Sequence, residues 1–121
     1  MTPDDLDAYL RDLGLTVEVA VGNGVSYSVV REFTIPHGGL GGHVCDVAIQ
    51  RVTTVPYVPP AAIQTRPPLV RMDPSEPLRT QASPLGPDWQ YWSRRFDHEA
   101  TPRAVWAHVL TVLCDPRWQS E

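Results

Sequence analysis

The chain has 121 residues, of which 42% are hydrophobic and 20% charged, and its formal net charge is −4. This composition predicts one globular domain over residues 1–121 and excludes a wholly disordered chain. The acidic balance disfavours a duplex nucleic-acid partner, which usually selects a basic face. The sequence has no apolar run of membrane-spanning length, and its acidic, polar N-terminus is unlike a secretory signal, so we expect a cytoplasmic protein without membrane contact.

The two cysteines, Cys45 and Cys114, lie far apart and lack the spacing of a metal site. Free thiols of this kind fit a reducing compartment. We therefore expect neither a metal nor a cofactor.

The first segment predicts a helix of about three turns. Thr2 is a suitable N-cap, Pro3 fits the first helical position, and the two acids that follow complement the helix dipole. Gly14 is placed to end the helix. Apolar residues recur at helical spacing and form one stripe: Leu6, Tyr9, Leu10 and Leu13.

The next segment predicts an antiparallel meander. Alternating valines from Val17 to Val21 indicate a half-buried strand, and Asn23-Gly24 is a strong two-residue hairpin pattern. The return strand should run from about Val25 to Ile35, followed by a flexible connection through PHGGLGG. A third strand in HVCDVAIQRV would place Cys45 and its alternate neighbours on one face and Asp46 on the other.

Residues 55–73, VPYVPPAAIQTRPPLVRMD, include five prolines. Because proline has no N–H for a sheet ladder, we expect an extended path without ladder bonds, with a short fourth strand at Leu69–Met72. Residues 74–88 predict an irregular loop. Thr101-Pro102 begins an apolar helix that ends near Asp115-Pro116. The predicted fold is therefore α+β: an N-terminal helix, a four-stranded antiparallel meander, a long loop and a C-terminal helix.

This order of elements resembles the ubiquitin-conjugating-enzyme (UBC) fold, in which a Tyr-and-proline segment follows the third strand. The resemblance is to the bacterial group called prokaryotic ubiquitin-conjugating-enzyme-like family E, and it spans about residues 5 to 114. The residues that support it follow the family order, namely Pro36, Asp46, Pro56-Tyr57 and the run Trp89-Gln90-Tyr91-Trp92-Ser93-Arg94.

The resemblance implies a component of a bacterial ubiquitin-like modification pathway. Its implied partners are a ubiquitin-activating-like enzyme, a ubiquitin-like protein and a metalloprotease that removes the modifier. The standard thioester centre is missing, since residues 61–113 contain neither a cysteine nor a His-Pro-Asn tripeptide. Family E commonly has a histidine after the Ser-Arg pair, whereas this chain has Arg95 there, and its nearest histidine is His98.

Three functions therefore stay open. The protein is an atypical transferase, a non-catalytic docking module for the activating enzyme or the modifier, or a generic α+β domain. A catalytic role would fall to Ser93, His98 or Cys45. Ser93 needs an adjacent base such as His98 to become nucleophilic. Cys45 needs exposure and a basic neighbour to lower the pKa of its thiol, and otherwise packs as a small hydrophobic residue.

Candidate binding residues lie around the same region. Arg94 and Arg95 offer rigid guanidinium forks for the C-terminal carboxylate of a modifier. Trp89, Trp92 and Tyr57 are packing or contact residues. All ten basic residues are arginine and none is lysine, which fits either arginine-favouring codon usage or protection of a protein that handles activated acyl groups.

Overall fold

A computed structural model of the chain describes residues 1–55, 57, 60, 62–70, 80–93 and 98–118. Its two helices and six strands, in chain order, are α1 (Pro3–Asp12), β1 (Thr16–Gly22), β2 (Val25–Thr34), β3 (Val44–Gln50), β4 (Ala62–Arg66), β5 (Thr80–Ser83), β6 (Gly86–Ser93) and α2 (Pro102–Leu113). The strands form one antiparallel sheet in the order β1-β2-β3-β4-β6-β5. The α+β prediction is confirmed, but the prediction of four strands is wrong.

α1 begins and ends where its capping residues predict. The Thr2 hydroxyl accepts a hydrogen bond from the Asp5 N–H at 3.2 Å, and the Asp5 carboxylate accepts one from the Thr2 N–H at 2.8 Å. Gly14 follows the helix with a φ of 87°. Leu6 and Leu10 are buried, which anchors the helix on the sheet.

A buried carboxylate also attaches α1 to the sheet. Asp7, only 3% exposed, accepts hydrogen bonds from the Ser28 hydroxyl at 2.5 Å and from the Arg51 guanidinium. Arg51 reaches Asp4 as well, at 3.0 Å. A buried carboxylate is tolerated because it is paired and hydrogen-bonded.

The first hairpin forms as predicted, with φ of 51° at Asn23 and 76° at Gly24. Its turn also meets the turn between β5 and β6, where the Asn23 amide donates to the Pro84 carbonyl at 3.4 Å. Four strand spacings separate β1 from β6, or about 19 Å in a flat sheet. The contact between the two turns therefore requires the sheet to curl.

The proline-rich stretch contains a central strand, which the sequence analysis did not predict. The proline-free pentapeptide of β4, AIQTR, pairs with β3 on one side and with β6 on the other. The expectation of a path without ladder bonds is wrong here, because the prolines flank these five residues and do not interrupt them. Leu69 and Val70 are buried outside any strand, so the fourth strand was predicted in the wrong place. Arg71 and Met72 lie outside the described residues.

The prediction of an irregular loop over residues 74–88 is wrong in part. Residues 80–83 form β5, and residues 86–88 begin β6. Residues 74–79 lie outside the described part of the chain. β6 also includes residues 89–93 of the aromatic run noted in the sequence analysis. Aromatic side chains favour strands because they pack well on a pleated surface.

The two faces of the sheet differ. The helix-bearing face holds the main core, and its fully buried side chains include Leu10, Ile35, Leu40, Val47, Trp92, Val109 and Leu113. The opposite face, called the open face below, has a smaller apolar cluster formed by Tyr27, Val29, Ala48 and Trp89. Both α1 and α2 contribute to the main core. Neither of these helices is long and apolar enough to cross a membrane.

The loop between β2 and β3 packs against the C-terminal end of α2. The Gly39 N–H donates to the Asp115 carbonyl at 3.3 Å, and a Cβ at Gly39 would overlap the Trp118 carbonyl oxygen. Its glycines therefore permit close backbone contact, whereas the sequence analysis predicted a flexible connection. α2 itself begins at its predicted N-cap, where the Thr101 hydroxyl accepts from the Ala104 N–H at 3.2 Å.

Candidate functional site

Tyr57, His98 and His108 form a group of neighbouring rings, called the Tyr–His cluster below. The His98 ring centroid lies 5.6 Å from that of Tyr57 and 5.5 Å from that of His108. Tyr57 comes from the proline-rich segment, His98 from the approach to α2, and His108 from the buried face of α2. The tertiary structure thus joins one predicted catalytic residue, one predicted binding residue and His108, which the sequence analysis did not single out.

The hydrogen bonding of His98 defines its neutral tautomer. Its Nδ1 lies 3.0 Å from the Glu99 carbonyl oxygen. Because a carbonyl oxygen can only accept, Nδ1 carries the proton and donates, which leaves the lone pair on Nε2. Within the described residues Nε2 is buried and has no hydrogen-bond partner. This nitrogen is able to accept a proton from a nearby group.

Tyr57 is half-buried, and this burial raises the pKa of its phenol. The group therefore stays protonated at neutral pH and keeps an O–H to donate. Tyr57 therefore offers a hydrogen-bond donor on a ring that neighbours His98.

The other predicted site residues of the segment that precedes His98 in the sequence are described less fully. Ser93 is the last residue of β6 and pairs with Ala62 of β4, but its side chain lies outside what the structure describes. Arg94 and Arg95 are outside the described residues altogether. The proximity of the Ser93 hydroxyl to His98, and the role of the two arginines, stay predictions.

Cys45 lies in the main core on β3 and is 2% exposed. Burial, together with the neighbouring Asp46 charge, raises the pKa of its thiol to about 12. Cys114 is 8% exposed at the C-cap of α2. Both thiols are free, and they are the two cysteines of the entire chain. The packing interpretation of Cys45 is therefore favoured over the catalytic one, because a reactive thiol needs exposure and a lowered pKa.

The two predicted tryptophans occupy opposite faces. Trp92 is fully buried, donates from Nε1 to the Thr65 hydroxyl at 2.9 Å and packs edge-on against Trp118 at 4.8 Å. Trp89 packs on the open face, with the Arg66 guanidinium 4.6 Å from its ring centroid. Trp92 has a packing role, whereas Trp89 supports a charged group at the surface.

A row of alternating charges crosses four strands of the open face. Arg31 on β2 is 2.8 Å from the Glu18 carboxylate on β1 and 3.2 Å from Asp46 on β3. Arg66 on β4 pairs with Asp46 from the other side at 2.6 Å. The sequence analysis placed Asp46 on the strand face opposite Cys45. It did not identify these arginine partners, because they come from separate strands.

Asp46 is the centre of this charge row. Its partial burial raises the pKa of the carboxyl, but the Glu32 N–H, the Arg66 hydrogen bonds and the two guanidinium charges outweigh that effect, so the pKa is lowered overall. A cavity of about 460 Å³ opens beside it, lined in part by Arg31, Arg66 and Pro67. Within the described residues, no group of three metal-ligating side chains is found.

The fold and site define an α+β domain in which one antiparallel sheet carries two helices on one face and whose cysteines are both buried. The sequence model of prokaryotic E2 family E matches residues 2–115, and the chain belongs to that family. This membership associates the protein with ubiquitin-like conjugation in general. No curated protein and no solved structure matches the chain significantly.

Proposed function

We propose that the protein is an E2-like component of a bacterial ubiquitin-like modification pathway that binds its partners without forming a cysteine thioester. Its partners would be a ubiquitin-activating-like enzyme and a ubiquitin-like protein, in the cytoplasm. The observation that supports this proposal is the burial of both cysteines, Cys45 at 2% and Cys114 at 8% exposure.

The physical argument concerns the nucleophile. In thioester transfer a thiolate attacks the activated C-terminal carbonyl of the modifier, so the sulfur must be ionised and accessible. With a pKa of about 12 for Cys45, the thiolate fraction at neutral pH is about one in 10⁵. The strand and helix packing around this sulfur also excludes a modifier tail. Docking without thioester chemistry is the function that this arrangement favours.

A second function is favoured by the hydrogen bonding of His98. Its Nε2 lone pair, within the described residues, has no hydrogen-bond partner, which is the state that a general base needs. In this version the Ser93 hydroxyl attacks the carbonyl of the adenylated modifier. An oxyester bond forms, AMP leaves with the electron pair of the broken acyl–phosphate bond, and the hydroxyl proton passes to His98 Nε2. Tyr57 would donate a hydrogen bond nearby.

The binding residues of the proposal are those around the proline-rich segment and β6. Arg94 and Arg95 would receive the modifier carboxylate, which a guanidinium binds through two parallel hydrogen bonds. Trp89, with Arg66 against its ring, would contribute to a partner contact on the open face. Tyr57 would lie at the edge of the surface that binds the partner.

The test is to combine the protein with ATP, a bacterial ubiquitin-activating-like enzyme and a ubiquitin-like protein. Binding is measured by calorimetry, and adducts are sought by intact mass. We expect binding to at least one partner and no adduct. An adduct that dithiothreitol removes, and that is lost in Cys45→Ala, would refute the proposal.

The two candidate functions are separated in the same experiment. An adduct that resists dithiothreitol, is released by alkaline hydroxylamine and is lost in Ser93→Ala would establish the second function in place of the first. The matched control is Ser26→Ala, a hydroxyl removed from β2 at an exposed position. The absence of both binding and adduct would contradict both functions.

A further inference from the structure

β1 lies at one end of the described sheet, where it bonds to β2 and to no other described strand. Its second side therefore presents backbone groups that a further strand can pair with. The Arg11 guanidinium donates to the Val17 carbonyl at 3.0 Å, so this carbonyl points away from β2. Alternate residues of an antiparallel strand direct their N–H and C=O to the same side. Val19 and Val21 therefore point theirs outward as well.

The hairpin register supports this orientation. Gly22 and Val25 close the two-residue turn, and the closing pair of such a hairpin is hydrogen-bonded across the two strands. Counting back along β1, Val21, Val19 and Val17 occupy the positions that do not bond to β2. The two arguments, one from a side-chain contact and one from the turn, give the same outward residues.

The side chains of this edge are apolar and exposed. Val19 is 53% exposed and Val21 68%. Their side chains lie on the same helix-bearing face as the side chain of buried Val17, but the helices do not cover them. Natural edge strands are usually protected by charged side chains, lysine above all, by proline or by a bulge. β1 contains no lysine or proline, its pairing with β2 shows no register shift, and its one charged side chain, Glu18, is paired with Arg31.

We propose that β1 pairs with β1 of a second copy of this chain, in antiparallel orientation about a two-fold axis through Val19. In this register Val19 faces Val19, Val17 faces Val21, and Glu18 faces Ala20. The described sheet of one copy and that of the other become one continuous sheet. The exposed valines of both copies are brought together. The interface uses the same patch on both subunits, so the assembly closes as a dimer.

The sequence of β1, TVEVAVG, is what favours a second copy as the partner. About Val19 it is symmetric in its valines, and valine pairs on one face stabilise adjacent strands. Its single charged residue, Glu18, faces Ala20 and not another carboxylate. Glu18 is also already paired with Arg31 on the open face, at 2.8 Å. The dimer therefore brings no like charges into direct opposition.

Arg11 restrains this pairing. In the dimer the Val17 carbonyl would accept a hydrogen bond from the Val21 N–H of the second copy, and Arg11 would have to release it. Removal of the Arg11 side chain should therefore strengthen dimerisation. Non-specific adhesion of exposed valines would not respond to Arg11 in this way.

The test is sedimentation velocity over a wide range of protein concentrations. The mass should rise with concentration from 13.5 kDa to twice that value. Val19→Arg places two positive charges at the two-fold axis, and Val19→Pro removes an outward N–H without a loss from the β1–β2 ladder, so both should be monomeric at every concentration. Arg11→Ala should lower the dissociation constant about a hundredfold, because each of the two copies no longer has to release one hydrogen bond to a charged group, at about tenfold each.

The matched control is Val55→Arg, which adds the same charge at a 96% exposed valine outside the sheet and should dimerise like the unmodified protein. Circular dichroism verifies that each variant is folded. If Val19→Pro does not fold, the comparison of Val19→Arg with Val55→Arg still decides the matter. A monomer at all concentrations, or a dimer that Val19→Arg leaves intact, would overturn the proposal.

Discussion

The Arg66 guanidinium donates two hydrogen bonds to Oδ2 of Asp46, from Nε at 2.9 Å and from Nη2 at 2.6 Å. The same group lies 4.6 Å from the ring centroid of Trp89. One arginine on β4 therefore connects β3 with β6, its neighbours on both sides. Asp46 also accepts from the Glu32 N–H at 2.9 Å, at the irregularity where the β2–β3 register shifts.

Substitution Asp46→Asn should destabilise the protein by about 2 kcal/mol at neutral pH, since hydrogen bonds to charged groups are the stronger ones. The pKa of Asp46 is lowered in the folded protein, so the unfolded chain binds the proton more tightly. This stabilisation is complete above the ordinary carboxyl pKa of about 3.9 and is lost as pH falls below it. Urea unfolding between neutral pH and pH values below that range measures both effects.

The control for this prediction is Asp12→Asn at an exposed position near the end of α1. It should change the free energy of unfolding by less than about 0.5 kcal/mol. A similar loss for the two variants, or an Asp46→Asn protein that keeps the full acid sensitivity of the unmodified chain, would contradict the role assigned to Asp46.

Gln90 is fully buried, and its side chain binds the backbone at two adjacent residues. Oε1 accepts from the Leu69 N–H at 2.8 Å and the Val70 N–H at 3.2 Å, while Nε2 donates to the Val70 carbonyl at 2.7 Å. Gln90→Leu would leave these buried groups unsatisfied and should cost about 3 kcal/mol. The same change at exposed Gln50 should have little effect on thermal unfolding. Equal losses at the two positions would show that Gln90 does not secure this segment.

Gly39→Ala should destabilise the protein by about 3 kcal/mol, because the new methyl group overlaps the Trp118 carbonyl and overpacking of this kind forces the backbone to move. Gly14→Ala is the control. Gly14 has a φ of 87° but open space around it. Gly14→Ala should therefore lower the free energy of unfolding by about 1 kcal/mol, from backbone strain alone. Chemical denaturation of both variants checks the order. A smaller loss at Gly39 than at Gly14 would contradict direct packing of the loop on α2.

The thiols of the native protein should react slowly with a disulfide reagent. Cys45 and Cys114 are 2% and 8% exposed, and burial raises the pKa of Cys45 to about 12. Both thiols should react at once in denaturant, which provides the internal control. Raising the pH from 7 to 9 should still leave Cys45 almost entirely protonated. One rapidly reacting thiol in the folded protein would contradict the burial on which the proposed function rests.

Local sequence patterns predicted the elements whose formation depends on near neighbours. The Thr2 and Thr101 caps are hydrogen bonds to residues three positions away, and the Asn23-Gly24 turn depends on two backbone conformations. The strand at β4 was missed because the number of prolines in the stretch concealed five residues without one. Strand pairing on both sides of AIQTR depends on β3 and β6, which no local pattern contains.

The candidate site likewise has features that the sequence determined and features that only the tertiary structure decided. Sequence alone determined that the chain has two cysteines and lacks the standard thioester motif, and the family resemblance that followed from its motifs is confirmed by the match to residues 2–115. Tertiary structure decided that Cys45 is buried, that His98 lies beside Tyr57 and His108, and that Asp46 pairs with Arg31 and Arg66. The physical reason is that residue identity and short-range spacing are properties of the sequence itself. Burial and charge pairing depend on strands that come together from distant positions in the chain.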